Sequence, residues 1–213
     1  MSSKVCKGMK ILCVSDRIDP LVYSDSIKNR FGDVDVILGA GDLPLDYLDF
    51  IVSNLNKPLF FVFGNHHTDK MAGNGFNCIG SMHIGSKVRK EDGLIVAGLG
   101  GCMRYKRGPN QFTDFQMFLE IIKLIPRLLC NRIFHSRFLD ILLTHAPPKG
   151  IHDEPDLCHR GFRAFLWFMR IFKPAYLVHG HIHLYDMSAI RCTRWRGTEV
   201  INAYGHCVID TKN

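Results

Sequence analysis

The sequence predicts an α/β fold with some antiparallel strand pairing. In the first third of the chain, apolar runs typical of strands alternate with helical patterns. This alternation indicates a parallel sheet with crossover helices. Short strand-like runs between glycine-containing turns follow in the middle and near the C-terminus, and they favour antiparallel pairing.

Five elements make up the first third. They are a strand at Lys10–Ser15, a helix at Ser24–Phe31, a strand at Val34–Leu38, a helix at Asp46–Leu55 and a strand at Leu59–Phe63. The three strands are short apolar runs of the kind that is buried on both faces. Ser24 or Asp25 is a suitable cap for the first helix.

The short strands form two groups. The first group is Asn77–Ile84, Lys87–Arg89 and Leu94–Ala97, and the second is Met187–Arg191, Thr198–Ile201 and Cys207–Asp210. Between the groups lie apolar runs at Ile141–Leu143 and Tyr176–Val178 and an apolar helix at Phe162–Phe172. These elements continue the α/β pattern to the end of the chain.

Thr113–Phe138 is the most helical stretch, and Pro126 is expected to kink or split it. Its apolar residues recur at Phe115, Phe118, Leu119, Ile122, Ile125, Leu128, Leu129 and Ile133. Its cations are Lys123, Arg127, Arg132 and Arg137. A basic amphipathic helix docks on a membrane or caps a lipid substrate, or it simply packs on its own core. An exposed face would serve a dimer equally well, and the oligomeric state stays open.

The length and composition of the chain bear on its domain count, its location and the charge of its partners. At 213 residues the chain suits one domain, 1–213, with one sizeable core. We expect a cytoplasmic protein, since no secretory signal or apolar run long enough to cross a bilayer is present. The eight cysteines form no C-x-x-C pair, which favours buried reduced thiols. The net charge of +7 indicates anionic partners or a generally basic surface.

Five polar motifs each follow a predicted strand. They are Val14-Ser15-Asp16, Gly41-Asp42, Gly64-Asn65-His66, Thr144-His145 and Gly180-His181-Ile182-His183. Strands that carry Asp, Asn and His at their carboxyl ends gather those side chains along one edge of a sheet. Oxygen and imidazole ligands that converge in this way suit a pair of divalent cations.

This order of motifs, from Met9 to at least Tyr185, resembles the calcineurin-like metallophosphoesterases. The resemblance implies two mixed β-sheets packed face to face as a sandwich and flanked by helices. It also implies two divalent metal ions, with manganese expected first and iron, zinc or magnesium as alternatives.

The resemblance implies a role for each motif residue. Asp42 would bridge the two metals, Asp16 and His183 would bind the first, and Asn65, His145 and His181 would bind the second. His66 would contact the substrate phosphate and protonate the leaving group. Since His181 and His183 would face opposite ways in an extended strand, the Gly180 turn is expected to bend the backbone.

Two positions depart from the family pattern. Ile18 stands where the family has a metal-binding histidine, and Asp19 is either a substitute oxygen ligand or only the turn residue before Pro20. An oxygen ligand there would favour manganese or magnesium. His67 stands where an acid usually orients the catalytic histidine, a task that Asp69 could take over.

Two loops are candidates for substrate contact. Arg104 could pair with a phosphate and Tyr105 could stack on a ring, or both belong to a solvated basic loop. His159 and Arg160 precede the helix at Phe162–Phe172, whose N-terminus favours anions, although Arg160 could equally be a plain surface residue.

Three functions follow, in order of preference. The first is a phosphoesterase that hydrolyses a small phosphodiester or phosphomonoester by a metal-bound hydroxide. The second is a non-catalytic interaction protein on the same fold with a degraded first metal site. The third is a nuclease or nucleic-acid-binding protein, which the positive charge and Tyr105 motivate but which no recognised nucleic-acid module supports.

Overall fold

A computed structural model describes residues 8–66, 80–186 and 189–211. Two large sheets dominate it. The first contains β1 (Lys10–Ser15), β2 (Val36–Gly39), β3 (Leu59–Phe61), β4 (Ser81–His83) and β13 (Gly205–Asp210). The second contains β5 (Lys87–Glu91), β6 (Leu94–Leu99), β9 (Ile141–Thr144), β10 (Tyr176–His179), β11 (Cys192–Trp195) and β12 (Thr198–Asn202).

Four helices and a small two-stranded sheet complete the described elements. The helices are α1 (Ile27–Phe31), α2 (Leu45–Leu55), α3 (Asp114–His135) and α4 (Arg163–Phe172). The small sheet pairs β7 (Cys102–Met103) with β8 (Gln111–Phe112). Among the residues that the structure describes, no helix combines the length and apolar character that crossing a bilayer requires.

Each large sheet has a parallel centre. The first sheet has the order β13-β1-β2-β3-β4, in which only β13 is antiparallel to its neighbour. The second has the order β11-β12-β10-β9-β6-β5, in which the two edge strands are antiparallel and the inner four are parallel. In each sheet the carboxyl ends of the central strands therefore lie at one edge.

Side-chain alternation along the central strands produces four layers. In β1, Ile11 and Cys13 pack into the core between the two sheets, while Leu12 and Val14 pack against α1 and α2. The second sheet likewise has α3 and α4 on its outer face. Strands covered on both faces need apolar residues at consecutive positions, which is why they read as unbroken apolar runs. The predicted helix-flanked sandwich of two mixed sheets is confirmed.

Of the two effects expected of Pro126, a kink or a split of the long helix, the split does not occur. Thr113 and Gln116 form a capping box at the start of α3, and the helix then runs unbroken to His135. Pro126 is exposed, and Ile122, whose carbonyl loses its hydrogen-bond donor to the proline, is 43% exposed. Water can reach this carbonyl, so the proline is tolerated.

Only some of the apolar residues that recur along this helix are buried. The buried face consists of Met117, Ile121, Leu124, Leu128 and Asn131. Of the eight apolar residues predicted to recur along the helix, five are exposed, namely Phe115, Leu119, Ile122, Leu129 and Ile133. The stretch carries apolar residues on two opposite faces, and only one of them packs on the second sheet.

The last antiparallel hairpin is shifted along the chain from its predicted place. The predicted strand Met187–Arg191 is wrong at 189–191, where the chain is not in a strand. The observed strand, β11, begins at Cys192 and pairs with β12 across a turn at Arg196 and Gly197. Residues 187–188 of that prediction, and 77–79 of the predicted strand Asn77–Ile84, lie outside the described residues.

Candidate metal centre

The carboxyl ends of five parallel strands place the predicted polar side chains at one edge of the sandwich. Asp16, Asp42 and Asn65 follow β1, β2 and β3 of the first sheet, and His145 and His181 follow β9 and β10 of the second. The two sets meet directly, since the backbone N–H of His181 donates to both carboxylate oxygens of Asp16, at 3.0 and 2.9 Å.

Three potential ligand atoms converge around His145, which is fully buried. The Nδ1 atom of this imidazole donates to the carbonyl of Ala40 at 2.8 Å, so in the neutral ring Nε2 carries a lone pair. That lone pair faces Asp42 Oδ2 at 3.2 Å and Asn65 Oδ1 at 3.1 Å. This cluster accommodates either a proton on Nε2 or a metal ion in its place, and the set of carboxylate, amide and imidazole fits a divalent cation.

His181 extends this group. Ligand atoms of Asp42, His145 and His181 all lie within 4.8 Å of one another. The Nε2 atom of His181 donates to the carbonyl of Cys158 at 2.9 Å, which leaves Nδ1 as its free ligand atom. Burial and the neighbouring His145 lower the pKa of His181 to about 3, so the ring is neutral, the form that binds a metal.

The electrostatics of the metal-free site show the repulsion that a cation would relieve. Burial raises the pKa of Asp16, and the charge of Asp42 adds to this effect. Burial alone would lower the pKa of His145, but the carboxylates of Asp42 and Asp16 raise it to about 9. A proton on His145 therefore partly compensates the two acids when no metal is bound.

The backbone is left-handed at three of these positions. The φ angles are +65° at Asp16, +53° at Asp42 and +67° at His181. This region is unfavourable for residues with a Cβ, and each such residue costs on the order of 1–2 kcal/mol. Because the surrounding strands and hydrogen bonds impose these conformations, the side chains are held in place before any ligand binds.

Glycines make room for the same side chains. A Cβ atom on Gly64 would lie 2.1 Å from Asp42 Oδ1, and one on Gly180 would lie 2.4 Å from Asp16 Oδ2. On Gly41 it would lie 2.4 Å from His145 Nδ1. The predicted bend after β10 is located at His181 rather than at Gly180, since His181 has the positive φ. Gly180 is required instead for this close approach.

His66 lies at the outer side of the group, whereas the contacts of His183 are with two tyrosines. The backbone N–H of His66 donates to Asp42 Oδ1 at 3.0 Å, while its side chain is 75% exposed with Nε2 4.0 Å from Asp42 Oδ2. The side chain of His183 is exposed, and its Nδ1 atom is hydrogen-bonded to the hydroxyl of Tyr185 at 2.6 Å. Its ring centroid lies 4.8 Å from that of Tyr204.

The residues next to the expected first metal position are engaged elsewhere or apolar. Ile18 is 44% exposed. The carboxylate of Asp19 accepts hydrogen bonds from His206 Nδ1 at 2.7 Å and from the N–H of Leu21 at 2.9 Å. Both oxygens of Asp19 thus already have protein partners. His67 and Asp69, which we considered for the orientation of His66, lie outside the described residues.

The candidate substrate residues are placed differently from one another. Tyr105 reaches the site, since its hydroxyl accepts from Asn65 Nδ2 at 3.5 Å. Arg104 Nη2 instead donates to the carbonyl of Gln111 and the side chain of Gln116, at 3.2 and 2.9 Å. His159 packs on the ring of His181 at 5.2 Å.

Arg160 lies at the surface of the same segment. It is exposed, and its Nη2 atom donates to the carbonyl of Pro155 at 3.5 Å. His159, by contrast, is bonded through Nδ1 to Asp156 Oδ2 at 2.9 Å. Within this segment, the structure therefore brings His159 but not the guanidinium of Arg160 into contact with a site histidine.

Sequence reasoning missed a chain of hydrogen bonds behind the site. His179 Nδ1 donates to the carbonyl of Gly180 at 2.9 Å, so its Nε2 accepts from His152 Nδ1 at 2.9 Å. His152 Nε2 then accepts from the hydroxyl of Thr193 at 2.8 Å. Burial and His152 lower the pKa of His179 to about 3. The only sequence signal was a histidine directly before Gly180, inside an apolar run.

Comparisons with known proteins agree with this arrangement. A sequence model of the family described as calcineurin-like phosphoesterase matches residues 9–185. The crystal structure of TT1561 of Thermus thermophilus superposes with a TM-score of 0.67 and 14% identity, covering 97% of this chain and 96% of that one. A second crystal structure superposes with a TM-score of 0.69 and 12% identity, covering 95% of each chain.

A more distant likeness is to a single mutant of Vps29 from Entamoeba histolytica. Its TM-score is 0.43 at 12% identity, with 92% of this chain and 73% of that chain covered. None of the curated proteins matches the chain. At these identities, the two structures with TM-scores of 0.69 and 0.67 show a shared fold.

Proposed function

Because the chain belongs to the calcineurin-like phosphoesterase family, we propose that it is a metal-dependent hydrolase of a phosphodiester or a phosphomonoester. The observation that carries this proposal is the convergence of Asp42, Asn65 and His145. Asp42 Oδ2 and Asn65 Oδ1 lie 3.2 and 3.1 Å from His145 Nε2, where a metal ion would replace the proton that the ring holds in the metal-free site. A divalent cation is the ligand that this donor set suits.

We assign the ligands as follows. Asp42 lies between two metal positions, with Asn65, His145 and His181 on one side and Asp16 and His183 on the other. Bound divalent cations would supply Lewis acidity toward phosphate oxygens and toward water. The left-handed backbone at Asp16, Asp42 and His181 supports these assignments, because strain of this kind is retained where a site requires it.

We assign proton transfer to the leaving group to His66. Its backbone is tied to Asp42, while 75% of its side chain is exposed to an approaching substrate. Imidazole is the side chain best suited to give up a proton near neutral pH. We assign contact with the group attached to the phosphate to Tyr105, because its hydroxyl accepts from Asn65 Nδ2 at 3.5 Å.

Manganese is the metal that we expect first, with iron, zinc and magnesium as alternatives. The proposed ligands include two carboxylates and an amide oxygen besides imidazoles, and oxygen donors favour harder cations than zinc. The unpaired thiols of the described cysteines suit a reducing compartment such as the cytoplasm, which is the location we propose.

The proposal is tested by hydrolysis of bis(p-nitrophenyl) phosphate and of p-nitrophenyl phosphate in titrations with manganese, iron, zinc and magnesium. The parent and Asp42→Asn are compared with Glu199→Gln, which removes an exposed acid on β12, outside the proposed ligand set. We expect metal-dependent turnover in the parent and in Glu199→Gln and its loss in Asp42→Asn. Absence of turnover with either ester and all four metals would refute the hydrolase.

A second function has one specific observation in its favour. Ile18 stands where the family pattern has a metal-binding histidine, and Asp19 is already bonded to His206 and Leu21. A protein that binds one metal and no substrate would use the same surface to contact a partner. Calorimetry distinguishes the two functions, since manganese binding to the parent without turnover of either ester would favour this second one.

A further inference from the structure

The solvent face of α3 is apolar where a surface helix is normally polar. Its apolar residues occur at steps of four and three, the spacing of one helical face. We call Phe115, Leu119, Ile122, Pro126, Leu129 and Ile133 the outer stripe. At 100° per residue, these positions fall within an arc of about 80°. The arc lies opposite the face that Met117, Leu124 and Leu128 bury in the core.

The stripe is well exposed. Phe115 is 69% and Ile133 is 75% exposed, and the adjacent Phe134 is 77% exposed. Leu119, Ile122 and Leu129 are between 42% and 51% exposed. From the first to the last residue the stripe is about 27 Å long. An apolar surface of this length on a protein marks a contact with another molecule.

Cations flank the stripe on both sides. Lys123 and Arg127 lie exposed along one side of α3, with Lys123 paired to Glu120 at 2.6 Å. On the other side α4 packs through Trp167, whose ring lies 4.9 Å from that of Phe118. Arg163 and Arg170, both exposed, are one helical turn before and after Trp167.

The two acids of α3 lie near its start and both have protein partners, Asp114 the N–H of Ala164 and Glu120 the side chains of Ser86 and Lys123. Beyond Glu120 no acid interrupts the basic surface in sequence. The segments 121–139 and 163–173 contain seven Lys and Arg residues and no Asp or Glu. A partner must therefore offer an apolar region into which the stripe inserts and negative charge on both sides of that region. A second copy of this face offers the apolar stripe but would set cations against cations, which opposes association.

We propose that α3 docks this protein on an anionic lipid bilayer. The helix lies in the plane of the interface, its outer stripe enters the boundary between headgroups and acyl chains, and the flanking cations bind acidic headgroups. This is the arrangement of an amphipathic helix at a membrane surface, which requires no spanning segment. Here the helix is already folded on its core, so docking does not include the cost of helix formation.

The test is sedimentation of the full chain with vesicles of phosphatidylcholine alone or mixed with phosphatidylserine. We expect binding to the mixed vesicles that weakens with salt, and little binding to phosphatidylcholine. Phe115→Ser with Ile133→Ser should weaken binding by about tenfold for each side chain removed. The matched control is Ile190→Ser, which removes an equally exposed residue, 69% exposed, outside α3.

A charge variant keeps the test independent of the apolar substitutions. Arg127→Gln with Arg170→Gln should weaken binding to mixed vesicles by on the order of 25-fold, since each cation at the surface contributes about fivefold. Thermal unfolding of each variant checks that the fold is retained.

Three results would overturn the proposal. The first is no binding of the parent to mixed vesicles, and the second is a double serine variant that binds as the parent does. The third is a dimer in light scattering without lipid that Phe115→Ser and Ile133→Ser abolish, because the stripe would then be a contact between two copies of the chain.

Discussion

Replacing Gly64 by alanine tests whether the geometry around Asp42 controls metal binding. Gly64 does not have a positive φ, so its backbone conformation accepts alanine. The added methyl group would lie 2.1 Å from Asp42 Oδ1 and 2.7 Å from His145 Cε1. The substitution therefore adds no charge and removes no ligand, and it acts only by displacing two proposed ligands.

The size of the effect follows from these distances. An ordinary carbon–oxygen contact is about 3.4 Å, so Asp42 Oδ1 must move by more than about 1 Å. That movement also breaks the 3.0 Å hydrogen bond from the backbone of His66. A misplacement of about 1 Å in a catalytic site costs on the order of 100-fold in rate. We expect a loss of this size in kcat/KM and a marked loss of manganese affinity.

Gly197→Ala is the matched control. Gly197 has a φ of +94° and nothing within 4 Å of the Cβ position, so alanine there is strained but displaces no ligand. We expect it to lower the free energy of unfolding by roughly 1–2 kcal/mol and to leave manganese affinity unchanged.

The assays are calorimetric manganese titration and hydrolysis of bis(p-nitrophenyl) phosphate for the parent and both variants. If Gly64→Ala were folded and retained the manganese affinity of the parent, Asp42 would not be a metal ligand in the geometry described. If Gly197→Ala lost metal binding as well, the effect would come from general destabilisation and the reasoning about Gly64 would fail.

Three further substitutions test the fold around α3. Leu128→Ala should lower the free energy of unfolding by about 2–5 kcal/mol, because the leucine side chain is fully buried. Leu129 is 51% exposed, so Leu129→Ala should lower it by less than about 1 kcal/mol. Equal losses for the two variants in urea unfolding would contradict the described buried face. Thr113→Ala removes the cap of α3 and should cost about 1 kcal/mol in the same assay, while Thr113→Ser should cost less. Arg137→Ala leaves the buried carboxylate of Asp140 without its ion pair at 2.7 Å. The substitution should lower the free energy of unfolding by roughly 2–3 kcal/mol, less than for a fully buried pair because Arg137 is 22% exposed. A thermal midpoint equal to that of the parent would contradict this.

The fold could be predicted where burial imposes one strong pattern. The strands β1, β2 and β3 are covered on both faces, so their apolar runs stand out in the sequence. The long helix shows where that signal fails. Because α3 is apolar on two opposite faces, periodicity identified a helix but did not decide whether Leu128 or Leu129 is buried.

The short elements could not be predicted for a different reason. The strands β7 and β8 have two residues each, and a segment that short cannot show the alternation of apolar and polar residues that identifies a strand. Their position is fixed by tertiary contacts, such as the hydrogen bond from Cys102 to the carbonyl of Asn110 at 3.0 Å. The start of β11 at Cys192 likewise depends on its pairing with β12.

The sequence predicted that several candidate ligands lie near one another, but it did not predict their geometry. Polar motifs after apolar runs indicated that Asp42, His145 and His181 meet at one edge, and the structure brings them within 4.8 Å. Nothing in the sequence indicated a left-handed backbone at Asp16, since a positive φ is imposed by the contacts around a residue rather than by its type.

The pairing of β13 with β1 has a consequence for synthesis of the chain. Ser15 pairs with Gly205, so the outer edge of β1 is unpaired until the ribosome has added about 190 further residues. At roughly 5–20 residues per second this takes about 10–40 s. During that time an apolar strand, Ile11–Val14, presents free N–H and C=O groups to other nascent chains. Aggregation in the cell should therefore depend on how fast the C-terminal hairpins are completed.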